Sequence, residues 1–124
     1  MKLSEAIRLG SRIRPQVFNS FAGWIGKSDA EGRIQIGTCA FGAAAEAIGI
    51  PIYDILGKSK VMPALLRAAF PEYDRFAADI VRLNDANHWS REAIADWVDQ
   101  KSVEWEIWCA GSIHDGKDSR NVDS

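Results

Sequence analysis

Apolar residues recur at helical spacing along most of the chain, and each such stretch is bounded by residues that start or stop helices. Leu3, Ile7 and the run from Leu9 to Ile13 predict a first helix, with Ser4 as its cap and Pro15 as its end. In "TCAFGAAAEAIG" the alanines favour helix, Thr38 is the candidate cap, and Gly49 ahead of Pro51 is the stop. Phe41, Ala45 and Ile48 share one face there, and the small residues opposite let a neighbouring element approach closely. Ile52–Leu56 reads as one helical turn. Pro63 fits the first turn of "MPALLRAAF", where Met62, Leu65, Leu66 and Ala69 form a stripe. Pro71 opens a helix to about residue 85, with Tyr73, Phe76, Ala77, Ile80 and Leu83 or Asn84 in register. In the last such stretch, "SREAIADWV", Ile94, Trp97 and Val98 point inward.

Two segments alternate instead. "RIQIG" is a short strand by its period of two; "SVEWEIWCA" admits a helix or a strand, and the alternation of Val103, Trp105, Ile107 and Cys109 with Glu104, Glu106 and Trp108 favours the strand. Pairing of 33–37 with 103–109 is therefore expected. Residues 19–32, rich in Gly, Ser, Asn and Asp, read as a loop with Phe21, Trp24 and Ile25 tucked into the core. The expected fold is mainly α: one compact helical domain over 1–112 with that small two-stranded pairing, and a polar tail over 113–124.

Between the last two helical stretches lies a polar knot, "NDANHWS". Ser90 suits the cap of the following helix. Trp89 before it and Ile94 at the fourth helical position are the partners of a hydrophobic staple. Asn84, Asp85 and Asn87 would then satisfy loose carbonyls and amides at the two helix ends.

Composition narrows the function classes. The 124 residues carry a net charge of −2, so no global field draws the protein to nucleic acid. The charge is uneven: residues 1–69 hold nine Lys/Arg and five Asp/Glu, whereas 70–110 hold four and nine. Ordinary attraction between two parts of one fold explains this, and specific nucleic-acid binding is not expected. Two cysteines far apart, Cys39 and Cys109, do not form a disulfide framework. The start "MKLSEAIRLG" lacks a signal-peptide core, and no apolar run is long enough to span a bilayer. A reduced, cytoplasmic protein without membrane contact is expected.

Candidate chemistry is sparse. Both "GKS" tripeptides, at 26–28 and 57–59, have Phe21 and Ile52 where a phosphate loop needs glycine. A helix-turn-helix would place its recognition helix over "SVEWEIW", where Glu104 and Glu106 would repel phosphates. Zinc would have to use Cys39, His88, Cys109 and His114, which lack the close cysteine pair of structural sites, so no metal or cofactor is expected. The sharpest catalytic option is a thiol enzyme. Cys39 at a helix start would be the nucleophile, His88 the base, and Asp85 or Asn84 its orienter. The opposing reading makes Cys39 a compact filler at a tight helix contact and His88 a turn residue.

"MKLSEAIRLG", "TCAFGAAAEAIG" and "IVRLNDANHWSREAIADWV", in this order, resemble a family of short, uncharacterised proteins from bacteria and their phages. The last stretch is the most specific, with its L-N-D-x-x-x-W-[ST]-R-E-x-I-A-D-W-V pattern. The resemblance implies a bacterial or phage setting and supplies no catalytic residues. The expected role is a non-catalytic binding or accessory module, acting on a protein partner or by self-association. A thiol enzyme using Cys39 with His88 is the alternative, and a small DNA-binding regulator the third.

Overall fold

A computed structural model describes residues 1–28 and 34–114 of the chain. Helix α1 (Leu3–Ser11) leads to strands β1 (Ala22–Ser28) and β2 (Ile34–Thr38). Helices α2 (Ala40–Ala47), α3 (Ile52–Gly57), α4 (Met62–Ala69), α5 (Tyr73–Asp85) and α6 (Arg91–His114) follow. The result is a compact, mainly α domain. Leu3, Ile7, Phe41, Ile55, Met62, Leu66, Phe70, Ile80, Ile94 and Val98 are the largest fully buried apolar side chains among the described residues. Nearly all come from the predicted stripes. The outer members of those stripes are not buried: Leu9, Ile13, Ile48 and Leu65 are exposed, because each core-facing strip is narrower than the run of apolar residues.

The sheet differs from expectation. β2 pairs antiparallel with β1, from Ala22 opposite Thr38 to Ile25 opposite Gln35, with an irregularity before Ser28. The segment read as a loop thus supplies the partner strand, with Trp24 61% exposed rather than tucked in. Residues 103–109 are not a strand. They continue α6, an unbroken helix that starts behind Ser90, because extending an existing helix is far easier than nucleating a new element and no breaker intervenes. This also removes the turn that a helix-turn-helix would need near Asp99. Of the expected polar tail, 113 and 114 close α6, and 115–124 lie outside the described residues, as does Arg33.

Two caps also differ. α1 begins at Leu3, so Ser4 lies inside it, and its buried hydroxyl donates to the carboxylate of Asp99 on α6. α2 is capped by Cys39, whose Sγ accepts the Gly42 N–H at 3.4 Å, while Thr38 ends β2. α2 stops as expected: Gly49 adopts φ +97°, and the Ile50 N–H returns to the Ala45 carbonyl.

α1 lies against α2 on one side and α6 on the other. Gly10 lies so close to α2 that an added Cβ would overlap the Ala43 carbonyl, and at Gly42 it would overlap the Phe21 carbonyl. The α1–α6 seam is polar: Arg8 reaches Asp96 at 2.6 Å and Asp99 at 2.8 Å. Burial alone would raise the Asp99 carboxyl, but the Ser4 hydroxyl and the Arg8 guanidinium outweigh it and hold it below its ordinary value. At the other end of α1, Arg14 grips both oxygens of Glu46, at 3.0 and 2.8 Å.

Two alanine substitutions test the helix contact. Gly10→Ala must push α1 from α2 and should cost at least about 2 kcal/mol in chemical denaturation. Gly57→Ala meets open space and should be neutral or stabilise by up to about 1 kcal/mol. Equal effects of the two would refute the close approach.

Candidate functional site

The polar knot has one job that its local sequence shows and another that it hides. Ser90 Oγ accepts the Ala93 N–H at 3.1 Å at the start of α6. Ile94 is fully buried, while Trp89, the other member of the expected staple, is 38% exposed. His88 takes the left-handed conformation at φ +54°, which lets the Trp89 N–H reach back to the Leu83 carbonyl at 2.9 Å.

The hidden job belongs to Asn84 and Arg91, two of the few buried polar side chains. Asn84 Oδ1 accepts from Gln16 Nε2 at 2.8 Å and from the Ala40 N–H at 3.2 Å, at the open end of α2. Its Nδ2 donates to the Val17 carbonyl at 3.1 Å and to Asp85 Oδ1 at 2.7 Å. The amide thereby fills its four hydrogen-bonding positions. Asp85 Oδ1 also accepts the Asn19 N–H at 2.8 Å. Gln16 Nε2 donates onward to the Trp89 carbonyl at 2.7 Å. So Asn84 and Asp85 do engage free backbone groups, though mostly those of the distant segment 16–19 and of α2.

Arg91 was not singled out in the sequence. Its Nη1 donates to the Thr38 carbonyl at 3.2 Å and to Thr38 Oγ1 at 2.9 Å. Its Nη2 donates to the carbonyls of Ser11, at 3.2 Å, and Arg14. The guanidinium thus sits on the loose carbonyls at the C-terminal end of α1, where a cation is favourable, and ties them to the end of β2. Burial pulls its pKa down, yet a guanidinium keeps its charge in proteins. A signal existed: an arginine directly after the Ser90 cap opposes the positive end of its own helix, so it answers to a distant partner.

The three residues of the catalytic option fall in different settings. Cys39 is buried, and burial pushes its thiol up to about 11, against the lowering effect of the Gly42 and Phe41 N–H groups; the charge of Asp85 adds to the rise. Asp85 is held by Asn84 and Asn19. His88 is exposed and stacks on Phe18, with ring centroids 4.2 Å apart. Among the described residues, no hydrogen bond links His88 to Cys39 or to Asp85. Nor do three or more His, Cys, Asp or Glu side chains gather there as a metal-binding group, and of His114 only the backbone is described.

A second candidate surface lies at the far end of α6. Val103, Trp105, Ile107 and Trp108 are 57%, 41%, 67% and 63% exposed. Trp105 stacks on Trp108 with centroids 5.4 Å apart, and the Arg75 guanidinium lies 4.5 Å over the Trp105 ring. Beside them α1, α5 and α6 enclose an open groove of about 960 Å³, lined by Met1, Val98, Val103 and Trp105 among polar side chains. No helix among the described residues is long and apolar enough to cross a membrane. The chain matches no protein-family model, no curated protein and no solved structure in comparison with each.

Two measurements test the clamp and the thiol. Arg91→Lys should cost at least about 2 kcal/mol, because an ammonium cannot meet four acceptors divided between the end of α1 and the end of β2. Asn84→Asp should cost as much, losing two donors beside Asp85; wild-type denaturation midpoints would refute the clamp. As for the thiol, Cys109 should react with a thiol reagent at neutral pH while Cys39 stays protected until unfolding. A thiol raised from 9.0 to about 11 favours the folded state below pH 9. That contribution fades as pH rises from 9 towards 11, since the unfolded chain then releases the proton first. Fast, fold-intact labelling of Cys39 would overturn this assignment.

Proposed function

We propose that the protein is a non-catalytic binding module that acts through the outer half of α6. The observation that carries this reading is the set Val103, Trp105, Ile107 and Trp108. They are exposed on a helix whose first half is anchored in the core by Ile94 and Val98. Exposed apolar side chains over more than half of a helix circumference normally mean that something covers it. They contribute little to folding in their present place, so binding is the role that accounts for them. The catalytic alternative is weaker on the same evidence. A buried thiol with a raised pKa is a poor nucleophile, and its candidate base is turned to a surface stack. The acidic flank at Glu104 and Glu106 likewise argues against the DNA-regulator reading. We further read the setting as the cytoplasm of a bacterium or of a phage-infected cell, on the resemblance of the three sequence stretches and the two widely spaced cysteines.

At low protein concentration, Ile107→Ser and Trp108→Ser should leave the unfolding free energy within about 0.5 kcal/mol of wild type, whereas Ile94→Ala should lower it by about 2–4 kcal/mol. A photo-crosslinking amino acid at position 107 should give a discrete protein adduct in the cell. The same group at exposed Ala64 on α4 should not, and Trp108→Ser should abolish the adduct at 107. Identical patterns at 107 and 64, or no adduct at 107, would overturn the binding reading.

A further inference from the structure

We infer that residues 12–20, the link between α1 and β1, form a strap that opens as one unit while the core stays folded. None of its tethers involves the outer half of α6, so its opening is independent of any binding there.

Burial sets the limits of the unit. None of its nine side chains is buried. Ile13 and Phe18 are 53% and 38% exposed, and half-buried Val17 lies over Gly37. The flanks are different. Before the strap, Leu3 and Ile7 hold α1 in the core; after it, Phe21 packs on the core and Ala22 is buried. The hydrophobic effect therefore fixes both ends and contributes little between them.

What closes the strap is hydrogen bonding. Gln16 bridges Thr38 in parallel: the Val17 N–H donates to the Thr38 carbonyl at 3.1 Å, and the Thr38 N–H to the Pro15 carbonyl at 2.9 Å. Gln16 reaches Asn84 and the Trp89 carbonyl, Arg14 reaches Glu46, and the Asn19 N–H reaches Asp85. A hydrogen bond contributes, net, about as much as fixing one residue costs, so these tethers close the strap by a narrow margin. Strain works against them. Asn19 at φ +67° and His88 at φ +54° both take left-handed backbone, and they flank one contact, where Phe18 stacks on His88.

The buried polar groups divide their bonds so that opening strands none of them. Arg91 gives the strap one bond, to the Arg14 carbonyl, and keeps Thr38 and the Ser11 carbonyl when the strap leaves. Asn84 loses Gln16 and the Val17 carbonyl but keeps the Ala40 N–H and Asp85. A buried charge left without partners would couple the opening to global unfolding; here the guanidinium remains bonded. Closed, the strap covers the Thr38 end of β2. Open, it hands the Thr38 backbone to water, while Phe21, whose carbonyl accepts the Cys39 N–H at 3.1 Å, stays in place over the thiol's neighbourhood.

Native-state hydrogen exchange, followed by NMR in denaturant below the unfolding transition, tests the strap. The amides of Val17, Asn19 and Thr38 should share one opening equilibrium, at least about a hundredfold more favourable than that of Ile80 in α5. It should depend weakly on denaturant, because little surface is exposed. Ile55→Val, a mild loss in the core, should raise exchange at Ile80 by up to about tenfold and leave the three strap amides at their wild-type values. Gly37→Ala acts on the strap itself, since the added Cβ would meet Val17 Cγ1 and the Pro15 carbonyl. It should raise exchange at all three amides together by at least about tenfold, Asn19 included although its acceptor is Asp85. The strap would be part of the core, and the inference overturned, if the three amides exchanged with the equilibrium and denaturant dependence of Ile80, or if Ile55→Val moved them with Ile80. A response of Val17 and Thr38 to Gly37→Ala without Asn19 would equally overturn it, as separate fraying rather than one unit.

Discussion

One buried cation holds the connections of this fold in place. The Arg91 guanidinium, carried at the start of α6, donates to carbonyls at and just beyond the end of α1 and to the carbonyl and hydroxyl of Thr38 at the end of β2. A buried charge is costly unless its donors are matched, and here four acceptors surround it. The price of removing it is correspondingly spread over every segment it touches. Asn84 does for the start of α2 and the segment after α1 what Arg91 does for the end of α1. Together they fix the chain between the first helix and the hairpin, a stretch with little regular structure of its own.

With those connections set, close packing follows. α1 can lie on α2 only because position 10 has no side chain, and the chain before the hairpin can touch α2 only because position 42 has none. Cys39 belongs to the same crowded corner. Its sulfur caps α2 and is shielded by the neighbours that raise its pKa. The feature that made it look like a nucleophile, a helix start, is real, but the desolvation of that helix start outweighs the helix field.

The sequence was most legible where periodicity and punctuation agreed, as in α5 between Pro71 and the knot, or α2 before Gly49. It misled where two periods fitted the same residues. Between Val103 and Cys109 the alternation with Glu is genuine, but neither face meets the core, so burial could not select a strand and the helix already begun at Arg91 simply continued. β1 was hidden for the opposite reason: its glycines and serine resemble a loop, and its pairing with β2 comes from backbone groups that leave no side-chain signature. At the knot, Ser90 was readable because a cap acts on its own helix. Asn84 and Arg91 act on residues more than forty positions away, a relationship that no local window contains.

The placement of the tryptophans has a consequence for how the molecule is observed. Trp24, Trp89, Trp105 and Trp108 are all more than a third exposed, and only Trp97 leans on the core, edge-on to Phe76. Intrinsic emission from the native chain is therefore dominated by solvated indoles and should change little when the core melts. The stacked pair on α6, with the Arg75 guanidinium over one ring, adds a reporter that senses both the α6 surface and the α5–α6 contact beneath it.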